Sequence, residues 1–244
     1  MPPMRRLATY LKVLAGAALV TGPALAADAT VAVAANFLTT ARALETAYEA
    51  GSGFDIRLAH GSTGRLFAQI VTGAPFDVFL AADDVRPAAL EQRGLVAQRQ
   101  TYALGQLVLV SRAPVTLPQD LAGRRVAMAD PAVAPYGLAA RQALDDLGLG
   151  TEGIDPVFGD SVGQVASIFV TGNADLAFLA LSQVPDLGAD VTVTPMAGRH
   201  APVRQDAVLL RRGAENPAAA GFFAFLDAPE GRALIEAAGY EVPE

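Results

Sequence analysis

Four times along the chain an extended apolar run ends in small or hydroxylated residues and turns into a helical pattern. The corners are Ala34-Ala35-Asn36, His60-Gly61-Ser62-Thr63-Gly64-Arg65, Ala134-Pro135-Tyr136-Gly137 and Asp160-Ser161-Val162-Gly163. Strands that alternate with helices in this way form parallel sheets covered on both faces. In such open α/β sheets, ligands collect at the carboxyl ends of the strands, where all four corners fall. A helix N-terminus there exposes backbone N–H groups without intrahelical partners and adds the positive end of the helix dipole. A single Ser or Thr ahead of a helix is usually a plain N-cap. Four such corners in one chain point to one shared anionic ligand.

The chain between the corners reads as strands at Thr30 to Ala35, Phe54 to Ala59, Asp77 to Ala82, Leu107 to Val110, Arg125 to Ala129, Leu176 to Leu179, Val191 to Thr194 and Ala207 to Arg211. Helical spacing runs from Phe37 to Tyr48, Leu66 to Val71, Arg86 to Arg93, Tyr136 to Leu147, from Val162 to Phe169, and through the tail from Ala218. No solenoid repeat is present, so two similar α/β halves are more economical than one long sheet.

Residues 1–26 carry Arg5, Arg6 and Lys12, the apolar run Val13 to Val20, and then Ala24-Leu25-Ala26. That is the layout of a secretory signal, too short to span a bilayer, with cleavage expected after Ala26. Its removal takes Lys+Arg from 18 to 15 against 25 acidic residues, a formal charge of 15 − 25 = −10, and leaves no lysine. Such a chain is not expected to bind nucleic acid or an anionic membrane. The absence of cysteine excludes a disulfide framework and a thiolate nucleophile.

An enzyme reading centres on Ser62. The His60 to Gly64 stretch resembles a nucleophile elbow, but His60 takes the place of the first glycine of G-x-S-x-G. His60 and His200, the two histidines, lie in no triad context. No helix shows paired metal ligands. If an anion binds, neutral donors carry it, because Arg57, Arg65 and Arg141 are spaced as solvated faces. Asp160, the carboxylate nearest the corners, is expected to be occupied by backbone N–H groups at the start of the helix near Val162.

The corners, together with Gly73-Ala74-Pro75-Phe76-Asp77-Val78-Phe79-Leu80-Ala81-Ala82-Asp83, Asp130-Pro131 and Gly172-Asn173-Ala174-Asp175, resemble the periplasmic molybdate-binding proteins of ABC transporters. The resemblance covers essentially the whole mature chain. It implies an α/β, two-lobed periplasmic binding protein fold of type II. Each lobe is then a mostly parallel sheet flanked by helices, with the ligand in the cleft between lobes. Residues 28–107 rejoined by 207–244 are expected as lobe I, and 108–206 as lobe II. Carried over by position, the ligand donors are Asn36, Ser62 or Thr63, Tyr136 and Val162. Members with a tyrosine after Gly-Asn-x-Asp would place it at Ala180, which has no donor side chain; Tyr136 is expected to replace it. The ligand implied is molybdate or tungstate, with no cofactor and no cation site. The implied partner is a membrane permease, and the protein is expected to be a periplasmic monomer. A receptor for sulfate or another tetrahedral oxyanion is the same-fold alternative, and a serine hydrolase using Ser62 the different-class one.

Overall fold

The computed structural model of the chain describes residues 28–188 and 190–243. The signal segment expected at residues 1–26 lies outside them. Two five-stranded sheets organise the chain. The first holds β1 (Ala29–Ala34), β2 (Ile56–Gly61), β3 (Val78–Leu80), β4 (Val96–Gly105) and β10 (Val203–Leu210), in the order β2-β1-β3-β10-β4. The second holds β5 (Leu107–Ser111), β6 (Arg125–Ala129), β7 (Asp155–Gly159), β8 (Leu176–Ala180) and β9 (Thr192–Pro195), in the order β7-β6-β8-β5-β9.

Both sheets follow one plan. A parallel trio, β2-β1-β3 or β7-β6-β8, is continued by two antiparallel pairings. The sheets are therefore mixed rather than mostly parallel, and the cause is the route of the chain. It leaves the first sheet along β4, enters the second along β5 after the single residue Gln106, and returns from β9 to β10 through residues 196–202. A strand that enters a sheet from the end where the trio's carboxyl termini lie must run against that trio.

Alternation along each strand divides the cores. Val31 and Val33 pack with Phe37, Leu44, Tyr48 and Phe222, beneath α1 (Leu38–Ser52), α6 (Pro217–Phe225) and α7 (Pro229–Ala237). Ala32 and Phe79 face the other way, onto Leu66, Ile70 and Leu90 of α2 (Thr63–Val71) and α3 (Val85–Gln92). In the second sheet Met128, Leu144, Phe169 and Phe178 form the core with α4 (Pro135–Asp146) and α5 (Val162–Val170). Ala34 and Ala82 of the first sheet join this second cluster, so the two halves are packed together at the corners. Among the described residues no helix is long and apolar enough to cross a membrane.

The consequence for the site is positional. β1 and β6 occupy equivalent places in the two sheets, as do β2 and β7, and each of these four strands delivers its corner at its carboxyl end.

Candidate functional site

Asn36, Ser62, Thr63, Tyr136 and Val162 line one narrow cavity, with Ser161 beside them. None of the residues lining it is charged. Larger open grooves lie elsewhere, such as the one walled by Arg42, Glu45, Arg57 and His60, but that groove gathers none of the corners.

The second corner separates its two hydroxyls. Thr63 Oγ1 accepts the Ala82 N–H at 3.1 Å, which fixes the side chain and leaves the hydroxyl proton free. Ser62 occupies the N-cap position of α2 without making a cap hydrogen bond. It is 4 % exposed and its Oγ has no partner in the protein. A buried hydroxyl left unpaired costs roughly 1–3 kcal/mol, so this one is aimed at something other than the helix it precedes. Gly64 serves the approach of the lobes. Its N–H donates to Val133 O at 2.9 Å, and a Cβ there would meet that oxygen at 2.8 Å.

At the fourth corner the side chain is a plain cap. Ser161 Oγ accepts the Gln164 N–H at 3.4 Å, which leaves the first backbone N–H groups of α5, beginning with Val162, without intrahelical partners. Asp160 does not cap this helix as expected; it pairs with Arg65 across the cleft at 2.7 Å. Both side chains are more than half exposed, because the pair sits between two corners rather than within one. Arg65 is thus a rim residue bonded across the cleft, not merely part of a solvated face.

At the first corner the side-chain amide is already engaged. Asn36 Nδ2 donates to Gln205 Oε1 at 2.9 Å and to Tyr240 Oη at 3.1 Å, so both amide protons are committed within the protein. Tyr240 Oη and Ser182 Oγ in turn donate to the Asn36 carbonyl, at 2.8 and 3.0 Å. The donor that Asn36 leaves for the cavity is its backbone N–H, at the start of the 3₁₀ turn Ala35–Phe37.

At the third corner Tyr136 is 2 % exposed, and Gln205 Nε2 donates to its hydroxyl oxygen at 3.3 Å. Burial, reinforced by the neighbouring Tyr240, raises the Tyr136 phenol well above the usual tyrosine range, so it stays protonated and able to donate. Ala180, the position without a tyrosine, ends β8 fully buried, and its N–H goes to Gln183 Oε1 at 3.3 Å.

Gln205, Tyr102, Tyr240 and Ser182 are the residues that sequence reasoning missed. Gln205 was within reach, because the alternation Val203, Gln205, Ala207 puts a polar residue on a buried face, but only once the strand is extended back to Val203. Tyr240 lies beyond the last helix, in a stretch with no periodicity to mark it.

Ser62 has no base. His60 is exposed on β2, and His200 Nδ1 contacts Ala201 O at 2.7 Å in the return crossing. Among the described residues no group of three or more His, Asp or Glu could hold a cation. The chemistry on offer is neutral hydrogen-bond donation from four directions into a small uncharged space.

The family model of the bacterial extracellular solute-binding proteins matches residues 29–241. The molybdate-binding protein ModA of Azotobacter vinelandii is 40 % identical over 247 residues, covering 94 % of this chain and 96 % of its own. That of Rhodobacter capsulatus is 38 % identical over 248 residues, covering 97 % and 96 %. The solved periplasmic molybdate-binding protein of Azotobacter vinelandii superposes with a TM-score of 0.80 at 36 % identity, covering 88 % of this chain and 100 % of that one. The chain belongs to the bacterial extracellular solute-binding proteins and has the two-lobed type II fold of the molybdate-binding relatives it matches over nearly its full length.

Proposed function

We propose that the chain is an exported, non-enzymatic receptor that captures molybdate, and tungstate in the same way, between its lobes and delivers it to the permease of an ABC transporter. The observation that carries this reading is Ser62 Oγ, a buried hydroxyl without a partner on a cavity lined by all four corners. In the bound state the hydroxyls of Ser62, Thr63 and Tyr136 and the backbone N–H groups of Asn36, Thr63, Tyr136 and Val162 donate to the anion. Each hydrogen bond to a charged group is worth about 1.5–3 kcal/mol. Together they offset the several kcal/mol that burial of an unpaired ion costs.

We place the lobes at residues 28–107 with 207–244, and at 108–206. Membership of β4 and β10 in one sheet and of β5 and β9 in the other supports a division of this kind, but Leu107 begins β5 and residues 203–206 belong to β10, which moves the boundaries to Gln106 and to residues 196–202. Residues 1–26 act as the export signal, and the mature receptor works as a monomer in the periplasm, without nucleic acid.

Selectivity follows from protons. Near neutral pH phosphate retains at least one proton and needs an acceptor, whereas molybdate, tungstate and sulfate bring acceptors only. The cavity offers donors, and the nearby Asp160 carboxylate is engaged by Arg65. A donor facing a donor leaves both unpaired, at about 1–3 kcal/mol or more. Sulfate passes this proton test and is disfavoured by its shorter bonds, which do not reach every donor of a site set for a larger tetrahedron.

Competition calorimetry of the mature chain at neutral pH is the test. Molybdate and tungstate are expected to bind tightly, sulfate weakly and phosphate not measurably. Tight phosphate binding, or no heat with molybdate, would overturn the assignment.

A further inference from the structure

Gln205 is fully buried and is not among the residues lining the cavity. It sits on β10, the strand that returns from the second sheet to the first, at a shift in register against β4. Such an irregularity re-aims a side chain out of the regular pleat. Here the side chain reaches two corners at once. We propose that Gln205 is a positioning residue that sets the direction of the Tyr136 hydroxyl and so makes the third corner a donor toward the ligand. This rests on the oxyanion-receptor reading above and deepens it.

The argument is one of donor and acceptor inventory. A glutamine amide has one oxygen that accepts and one nitrogen that donates. Gln205 Oε1 is held by Asn36 Nδ2 at 2.9 Å, and the Tyr102 hydroxyl shares its one proton between Oε1 at 3.1 Å and the Ala81 carbonyl at 3.0 Å. Asn36 cannot freely reverse, because its other amide proton goes to Tyr240 Oη. With Oε1 fixed on that side, Nε2 must face Tyr136 and donates to its oxygen. A phenol carries one proton, so an oxygen that accepts from Gln205 keeps that proton for another partner, and Tyr136 borders the cavity. The reverse orientation of the amide would draw the proton toward Oε1 and turn lone pairs toward the anion.

Gly105 makes the contact possible. It is the last residue of β4, and a Cβ there would fall 2.0 Å from Tyr136 Oη and 2.5 Å from Gln205 Nε2. A side chain at Gly105 would therefore displace the amide-to-phenol contact, which only glycine leaves room for.

The test is a double-mutant cycle read by molybdate calorimetry on the wild type, Gln205→Met, Tyr136→Phe and the double variant, with a thermal melt of each. Gln205→Met is expected to weaken molybdate binding about tenfold when Tyr136 is present and less than about twofold when it is Phe, the worth of one donor no longer aimed. The preference for molybdate over phosphate should narrow in Gln205→Met, since a freed phenol can also accept. A loss of stability alone would move neither the coupling nor that preference. Equal weakening in both backgrounds, or unchanged or tighter binding in Gln205→Met, would overturn the proposal. Infrared difference spectra of the wild type against Tyr136→Phe isolate the phenol C–O stretch and need no change at position 205. That band is expected to shift when molybdate is added, and its constancy at saturation would also overturn the role. Binding of no oxyanion by the wild type would sink the receptor reading and this inference together, whereas binding without coupling would sink only the part assigned to Gln205.

Discussion

Replacing Ser62 by alanine removes a buried hydroxyl that has no partner within the protein, so two effects that usually go together should separate. Molybdate affinity should fall by about 1.5–3 kcal/mol, the range for a lost hydrogen bond to a charged group. Stability of the ligand-free chain should stay level or rise by up to about 1 kcal/mol, since an unsatisfied polar group leaves the interior. Calorimetry and thermal melts on the same preparation check both, and a marked loss of stability would show that Ser62 is a structural cap after all. Tyr136→Phe should weaken binding by a similar amount. At this scale the sequence points to a corner and leaves open which of its atoms is free. The freedom of Ser62 over Thr63 depends on the Ala82 N–H, which takes Thr63 Oγ1 from another strand end. Whether the Asn36 amide or its backbone is free depends on Gln205 and Tyr240, each well over a hundred residues away. Contacts of that separation leave no local pattern to read.

Corners face one another in pairs at the level of elements. The start of α2 meets the third corner through Gly64 N–H and Val133 O, and the fourth through Arg65 and Asp160. The Arg65 pair is more than half exposed, and exposed pairs contribute about 0–1 kcal/mol. Arg65→Ala should therefore weaken molybdate binding by less than about 1 kcal/mol, and the difference should shrink as salt is raised. Abolished binding in Arg65→Ala would mean that a cation, not the neutral donors, holds the ligand. The buried strands were legible because both faces are covered and their sequences are continuous apolar runs, as in Val31 to Ala34 and Leu107 to Val110. Two edge strands were not. β4 carries the unbroken polar run Gln98-Arg99-Gln100-Thr101 in its middle, and β7 contains Pro156 and an exposed Phe158. Edge strands need only one apolar face, so their signal is weaker. α2 begins at Thr63, ahead of its first apolar residue, for the related reason that its first turn points into the cleft instead of the core.

The molecule as a whole repeats one plan, a parallel trio that delivers two corners and two antiparallel strands that carry the chain across. Two halves were legible from the repeated corners, while the mixed sheets were not, since strand direction follows from where the chain re-enters and not from local composition. In the receptor we propose, four corners divided between two sheets form a complete donor set only when the lobes meet, so binding and closure are expected to be one event, with the crossings at Gln106 and residues 196–202 expected to flex. Tungstate should act as molybdate does, and phosphate, with its proton, should not stabilise the closed form. Small-angle scattering of the mature chain, alone and with saturating molybdate or excess phosphate, measures this directly. The account predicts a smaller radius of gyration with molybdate and no change with phosphate; the same radius with and without bound molybdate would contradict it.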